Sequence, residues 1–201
     1  MNENEIIRDV EIRDEKDQKK EPSIVKSLII DALIAAVAAF LIVTFVARPT
    51  IVKQSSMENT FMENDYVFLS KLSYAGDKTP QRGDVVVFKS DLVNEENGNS
   101  KLLIKRVIGL PGDTIQIKND QLILNGEAYH EEYIKDGITP PGNSPADGEI
   151  FTVPENEYYC MGDNRVVSLD SRYSDVGTIT EDEIVGKAVL RLFPFDKIQK
   201  F

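Results

Sequence analysis

Residues Ala32 to Ala47 read ALIAAVAAFLIVTFVA, sixteen positions without a charge. No other stretch restricts the fold as strongly, because such a run must be buried in protein or in lipid. Taken back through Ser27-Leu28-Ile29-Ile30-Asp31, it reaches the ~20 residues that a membrane-spanning helix needs. A buried core helix and a cleaved secretory leader are the alternatives. The run exceeds the apolar core of about 7–15 residues found in cleaved leaders, and Phe45-Val46-Ala47 lacks a small residue three positions before a cut. The spanning reading is therefore adopted over 27–47. Asp31 lies about one turn inside the segment, where a charge is tolerable near the interface.

Basic residues set the expected orientation. Lys16, Lys19, Lys20 and Lys26 precede the segment, whereas Arg48 and Lys53 are the close followers. The N-terminus is thus expected in the cytoplasm, and residues 48–201 outside the plasma membrane. Residues 1–26 alternate charges without an apolar face and read as a disordered tail.

The remaining chain suffices for one domain with its own core. Short β-branched and aromatic runs alternate with turns: Tyr66–Leu69, Val85–Phe88, Leu102–Ile108, Thr114–Lys118, Gln121–Leu124, Tyr158–Met161 and Ala188–Phe193. The fold class is mainly β, a transmembrane helix followed by an extracytoplasmic domain of short, strongly bent sheets. Asn119-Asp120 marks a hairpin and Asn125-Gly126 a second turn. From Tyr129 to Gly148, a segment with Pro140-Pro141-Gly142 reads as a long surface excursion.

A formal charge of −11 argues against nucleic acid, whose binders present a clustered basic face. Cys160 is the only cysteine and His130 the only histidine, so most metal sites are excluded and any histidine-based triad depends on His130. No metal and no cofactor are expected.

Four segments carry candidate chemistry: Gln54-Ser55-Ser56-Met57-Glu58-Asn59-Thr60, Arg82-Gly83-Asp84-Val85-Val86-Val87-Phe88, Ile104 to Asp113, and Met161-Gly162-Asp163-Asn164-Arg165 continuing through Ser168-Leu169-Asp170-Ser171-Arg172. In this order they resemble the signature boxes of bacterial type I signal peptidases, and the resemblance extends from the apolar segment to about Phe195. It implies a membrane-anchored serine endopeptidase that removes signal peptides from exported precursors. Ser56 falls on the family's nucleophile and Lys105 on its general base. Elementary chemistry agrees with that pairing: a serine needs a base that can be neutral, and the guanidinium of Arg106 stays protonated.

The resemblance further implies that Ser168 hydrogen-bonds Lys105, with Asp170 and Arg172 bracing it. Val52 and Ile104 match positions that line shallow substrate pockets, and plain core packing is their alternative. Asp163 and Arg165 read as a loop salt bridge. The Ser56 N–H is a natural oxyanion donor. Four positions depart from the family pattern: Gln54 replaces a serine found in some members, Asn59 a common proline, and Val166-Val167 a polar pair. Losing the fixed φ of proline at 59 loosens a turn by about 1 kcal/mol. Two rivals stay open. One is a self-cleaving Ser/Lys repressor-type peptidase, disfavoured by the apolar segment and the lack of a DNA-binding module. The other is a catalytically silent membrane protein of the same fold.

Overall fold

The computed structural model describes residues 24–41, 47–95 and 97–201. The chain divides into two units, Met1–Leu41 and Ile42–Phe201. In the first, helix α1 spans Ile24–Leu41, beginning three residues before the expected apolar boundary at Ser27. Ile29, Leu33, Val37 and Phe40 along it are all exposed. Among the described residues no helix is long and apolar enough to cross a membrane. The expected span runs on through 42–46, which with residues 1–23 of the expected disordered tail lies outside the described residues, whereas Ile24, Val25 and Lys26, expected in that tail, form the first turn of α1.

The second unit is mainly β. Its strands are β1 (Ala47–Ile51), β2 (Tyr66–Ser70), β3 (Val85–Val93), β4 (Ser100–Gly109), β5 (Thr114–Lys118), β6 (Gln121–Leu124), β7 (Glu127–Ala128), β8 (Ile150–Thr152), β9 (Glu157–Met161), β10 (Ile179–Thr180), β11 (Ile184–Phe193) and β12 (Gln199–Lys200). The larger sheet is ordered β1-β2-β11-β3-β4-β9-β10, with β12 beside β11, and the smaller β7-β6-β5-β8. All the pairings within both sheets are antiparallel.

Strand β4 organises the unit, because both its faces are covered. Leu103 and Val107 pack with Val86, Phe88 and Cys160. On the other side Ile104 packs against Val52, Val87 and Met57, while Ile108 joins Ile115 and Met161 over the small sheet. A strand buried on both sides reads as a nearly continuous apolar run, and Lys105 and Arg106 sit in the middle of this one. The register shifts between Val107 and Gly109, where a Cβ on Gly109 would press on Tyr159 and Val153 at 2.9 Å. Only glycine lets β4 and β9 close there.

The β5–β6 hairpin turns on Asn119 and Asp120, at φ 52° and 58°, and β6 turns into β7 on Asn125 and Gly126 at 52° and 83°. These are the left-handed pairs that suit the twist of two-residue hairpins.

Candidate active site

Ser56 lies in a 3₁₀ turn, Ser55–Met57, that follows β1. Met57 and, one turn on, Phe61 are fully buried and pin the turn to the core shared with Val52, Val67 and Val87. Its carbonyls are held from the 161–168 loop: the Asn164 N–H donates to the Ser56 carbonyl at 3.0 Å, and Asn164 Nδ2 to the Ser55 carbonyl at 3.1 Å. N–H groups that lead such a short turn have no partner inside it.

Lys105 reaches this turn from the middle of β4. Its Nζ and Ser56 Oγ are 2.6 Å apart, hydrogen-bonded, with the lysine 1% and the serine 6% exposed. Burial pushes the Lys105 ammonium down from its ordinary 10.5 to about 8. Asp170 opposes that shift and Arg172 assists it. A lysine in this range is neutral in a substantial fraction of molecules at mildly alkaline pH, so its lone pair can accept a proton. His130 is exposed in the excursion after β7, and among the described residues it makes no hydrogen bond to Ser56.

Asp170 and Arg172 are fully buried and paired. Arg172 Nε donates to Asp170 Oδ1 at 2.8 Å and Nη2 to Oδ2 at 2.9 Å, while the Gly162 N–H donates to the same Oδ2 at 2.9 Å. Burial alone would raise the Asp170 carboxyl; the Arg172 hydrogen bonds and charge outweigh it and hold the group below the usual carboxylate range. The bond expected from Ser168 to Lys105 is not formed. Ser168 Oγ is buried and makes no well-formed hydrogen bond among the described residues, but its hydroxyl acts on Asp170 and helps to hold that carboxyl down. Ser168 packs instead against Gly162, where an added Cβ would collide with the Ser168 hydroxyl and the Ser56 carbonyl oxygen.

The Asp163–Arg165 bridge is also absent, because each residue has a stronger partner that lies far away in sequence. Asp163 takes Arg106, with Nε to Oδ1 at 2.9 Å and Nη2 to Oδ2 at 2.6 Å. Arg165 takes Glu131 through both nitrogens, at 2.7 and 2.5 Å, and donates to Thr139 Oγ1 at 2.6 Å and to the Gly162 carbonyl at 2.9 Å. All four ionic side chains are buried, and a planar fork meeting a carboxylate satisfies both when water is excluded. The excursion therefore departs from the expected surface loop. Glu131 and Thr139 are buried, and the tightly packed Gly142 lets the Asn143 and Ser144 N–H groups reach the Arg172 carbonyl, each at 2.9 Å.

Asn59 adopts φ 91°, which a proline ring cannot reach. Its Nδ2 donates to the Tyr133 carbonyl at 3.1 Å. Val166 and Val167 are both more than half exposed.

Val52 is buried in the core and Ile104 half-buried, and both border a groove of about 880 Å³ with Thr50, Gln54 and Val87. A smaller depression of about 370 Å³, bordered by Ser56, Gln54, Leu103 and Leu169, shares Gln54, Lys53, Lys101 and Leu103 with it.

Comparison with known proteins follows the same residues. The family described as signal peptidase, peptidase S26, matches residues 25–193. A signal peptidase I P of Bacillus subtilis subsp. natto is 40% identical over 185 residues, covering 87% of this chain and 94% of its own. A signal peptidase I of Bacillus amyloliquefaciens is 36% identical over 194 residues, covering 90% and 97%. A crystal structure of a signal peptidase I from Enterococcus faecalis V583 shares 30% identity, covers 57% of this chain and 100% of its own, and superposes with a TM-score of 0.41. With a match that runs through all four boxes and nearly the whole chain, this protein belongs to the signal peptidase family, peptidase S26.

Proposed function

We propose that this signal peptidase is a membrane-anchored serine endopeptidase that cuts signal peptides from exported precursors with Ser56 as nucleophile and Lys105 as general base. The observation that carries the reading is the 2.6 Å contact between Lys105 Nζ and Ser56 Oγ, made in a buried site where the ammonium is held at about 8.

The neutral amine takes the Ser56 hydroxyl proton as Oγ attacks the scissile carbonyl carbon. Negative charge develops on the carbonyl oxygen, where the Ser56 N–H is the donor in place. Collapse breaks the C–N bond, and the Lys105 ammonium returns its proton to the departing amine, the new N-terminus of the exported protein. Water then attacks the ester, giving up its proton to Lys105, and the signal peptide leaves with a free carboxylate while Ser56 recovers its proton. Asp170 and Arg172 brace the floor of the site, and Ser168 fills the space beside Gly162. Val52 and Ile104 line the approach for the small residues that end a signal peptide in this family.

The apolar run 32–47 supports an anchor, and the excess of lysines before it supports a cytoplasmic N-terminus with 48–201 outside. Anchoring confines enzyme and embedded precursor to two dimensions, which raises effective concentration without any new contact. The bilayer and signal peptides are then the partners, and nucleic acid is not.

Incubating the full-length protein in detergent with a labelled exported precursor tests the reading. Cleavage by the parent and none by Ser56→Ala, with equal thermal unfolding, is the expected result. Equal cleavage by both overturns the assignment.

A further inference from the structure

Residues 131–144 contact each of the three buried arginines around the site, and this arrangement rests on no secondary structure of its own. Glu131 and Thr139 hold Arg165. The Pro140 carbonyl accepts from Arg172 Nη1 at 2.8 Å. The Tyr133 ring lies over the Arg106 guanidinium, 4.0 Å from its centroid. Arg106 is the residue next to Lys105 on β4 and points to the opposite face, where it also donates to the Gly83 carbonyl at 2.8 Å and to Thr60 Oγ1 at 3.1 Å.

Tyr133 makes two more connections. Its hydroxyl donates to Glu131 Oε1 at 2.6 Å, and its carbonyl receives the Asn59 amide. One residue on the excursion thus touches the strand that carries Lys105, the bend that follows the Ser56 turn, and, through Glu131 and Arg165, the loop that holds the Ser56 carbonyl. Lys135 adds a second tie, with Nζ 2.6 Å from Glu58 Oε2 and its N–H donating to the Asp163 carbonyl at 3.1 Å. Asn59 stands at φ 91°, and this left-handed backbone directs its amide to Tyr133.

We propose that residues 131–144 form a strap that sets the distance between the Ser56 turn and Lys105, with Tyr133 as the positioning residue and Asn59 as its anchor on the turn. The proposal rests on the Ser56–Lys105 reading. Tyr133 does not touch the reacting atoms; it acts by closing the ring of contacts Asn59–Tyr133–Arg106–Asp163–Thr60, in which Thr60 Oγ1 donates to Asp163 Oδ2 at 2.5 Å. A geometry held this way keeps Oγ within reach of Nζ, so that the Ser56 turn stays over the amine.

Loosening the strap has a signature that a loss of stability alone does not have. Burial is the largest influence on Lys105, and the charged or titratable groups facing it are Asp170, Arg172, Cys160 and Asp163, none of them on the strap. When the Ser56 turn draws back from Nζ, water reaches the amine and returns it toward its ordinary value, leaving those neighbours in place. Tyr133→Leu keeps apolar cover but removes the aromatic face and the hydroxyl. Asn59→Gly keeps the left-handed backbone and removes the amide bond.

The test measures kcat and KM from pH 6 to 10 for the full-length enzyme and both variants in detergent, normalised to folded protein. Tyr133→Leu is expected to lose about tenfold in kcat, with KM nearly unchanged and the pH midpoint raised by about one unit; Asn59→Gly shifts both in the same direction by less. Lower activity with an unmoved midpoint, a change confined to KM, or no change overturns the proposal. If Tyr133→Leu does not fold, Asn59→Gly is read by the same criteria. Failure of the underlying dyad reading is separate, since it shows as cleavage by Ser56→Ala.

Discussion

Lys105 Nζ and Ser56 Oγ meet at 2.6 Å although they stand 49 positions apart in the chain, one side chain rising from the centre of β4 and the other from a turn after β1. Burial of β4 on both faces is what gives the contact its chemistry. An exposed amine would hold its proton up to about pH 10.5, whereas this one begins to release it near 8. The same burial forces Arg106, its neighbour, to find compensation on the opposite face, and Asp163 supplies it.

Cleavage is expected to rise with pH through a single ionisation near 8, as Lys105 loses its proton. Lys105→Arg retains charge and approximate length but cannot give up its proton, so it is expected to be inactive across the range. His130→Ala is expected to match the parent. Profiles of kcat/KM against pH for the three proteins check this, and appreciable activity in the arginine variant would place the base elsewhere.

Gly162→Ala should damage the site from beneath. The added methyl collides with the Ser56 carbonyl oxygen and the Ser168 hydroxyl, and both partners are buried with little room to yield. Moving the Ser56 turn by about 1 Å is expected to cost on the order of a hundredfold in kcat. Ser168 meets the added methyl with its Cβ, at 2.7 Å, as well as its hydroxyl, so removing both by Gly162→Ala with Ser168→Gly should recover part of the loss in unfolding temperature. Thermal melts and single-turnover rates of the single and double variants decide it.

Seven strands were legible because alternating β-branched runs survive burial, and the Asn119-Asp120 hairpin because its turn residues are rarely used otherwise. β1 was not: Arg48-Pro49-Thr50 reads as a charged flank with a strand-breaking proline, and only its edge position, paired to β2 alone, makes proline tolerable. The two-residue strands β7, β10 and β12 are too short to carry a period. In the site, Ser56 and Lys105 stood out through their motifs. The pairs Arg106–Asp163 and Arg165–Glu131 did not, because partners 57 and 34 residues apart leave no local pattern. The signal that could have found them was the excess of arginines in boxes otherwise poor in exposed positions, each of which needs a buried carboxylate.

Glu131→Gln is expected to destabilise the fold by about 3–5 kcal/mol, the range for removing one partner of a buried ion pair and leaving the other uncompensated. Arg165 and Glu131 are each about 1% exposed at the side chain, so solvent does not screen the loss. Replacing both with apolar residues of similar volume should cost less than either single change, and denaturant unfolding of the three variants tests that ordering.

The depressed lysine also leaves a mark on stability, and its sign follows from proton counting. Below pH 8 Lys105 is protonated in both the folded and the unfolded chain, and the fold bears the whole cost of burying the ammonium. Between about 8 and 10.5 the unfolded chain still binds the proton while the folded one has released it, so stability contributed by this group rises with pH. Above 10.5 both forms are neutral and the cost is gone. Lys105→Met removes the ionisation and keeps an apolar stem of similar length. It is therefore expected to be more stable than the parent at pH 7, with an advantage that shrinks by about 2 kcal/mol by pH 9.5. Taking the difference between the two proteins cancels the titration of groups they share, including Tyr74, Tyr133 and Tyr159, which burial holds above the usual phenol range. Urea unfolding of both proteins at pH 7, 8.5 and 9.5 supplies the numbers, and a difference that stays constant with pH would mean that Lys105 keeps its proton throughout and cannot be the base.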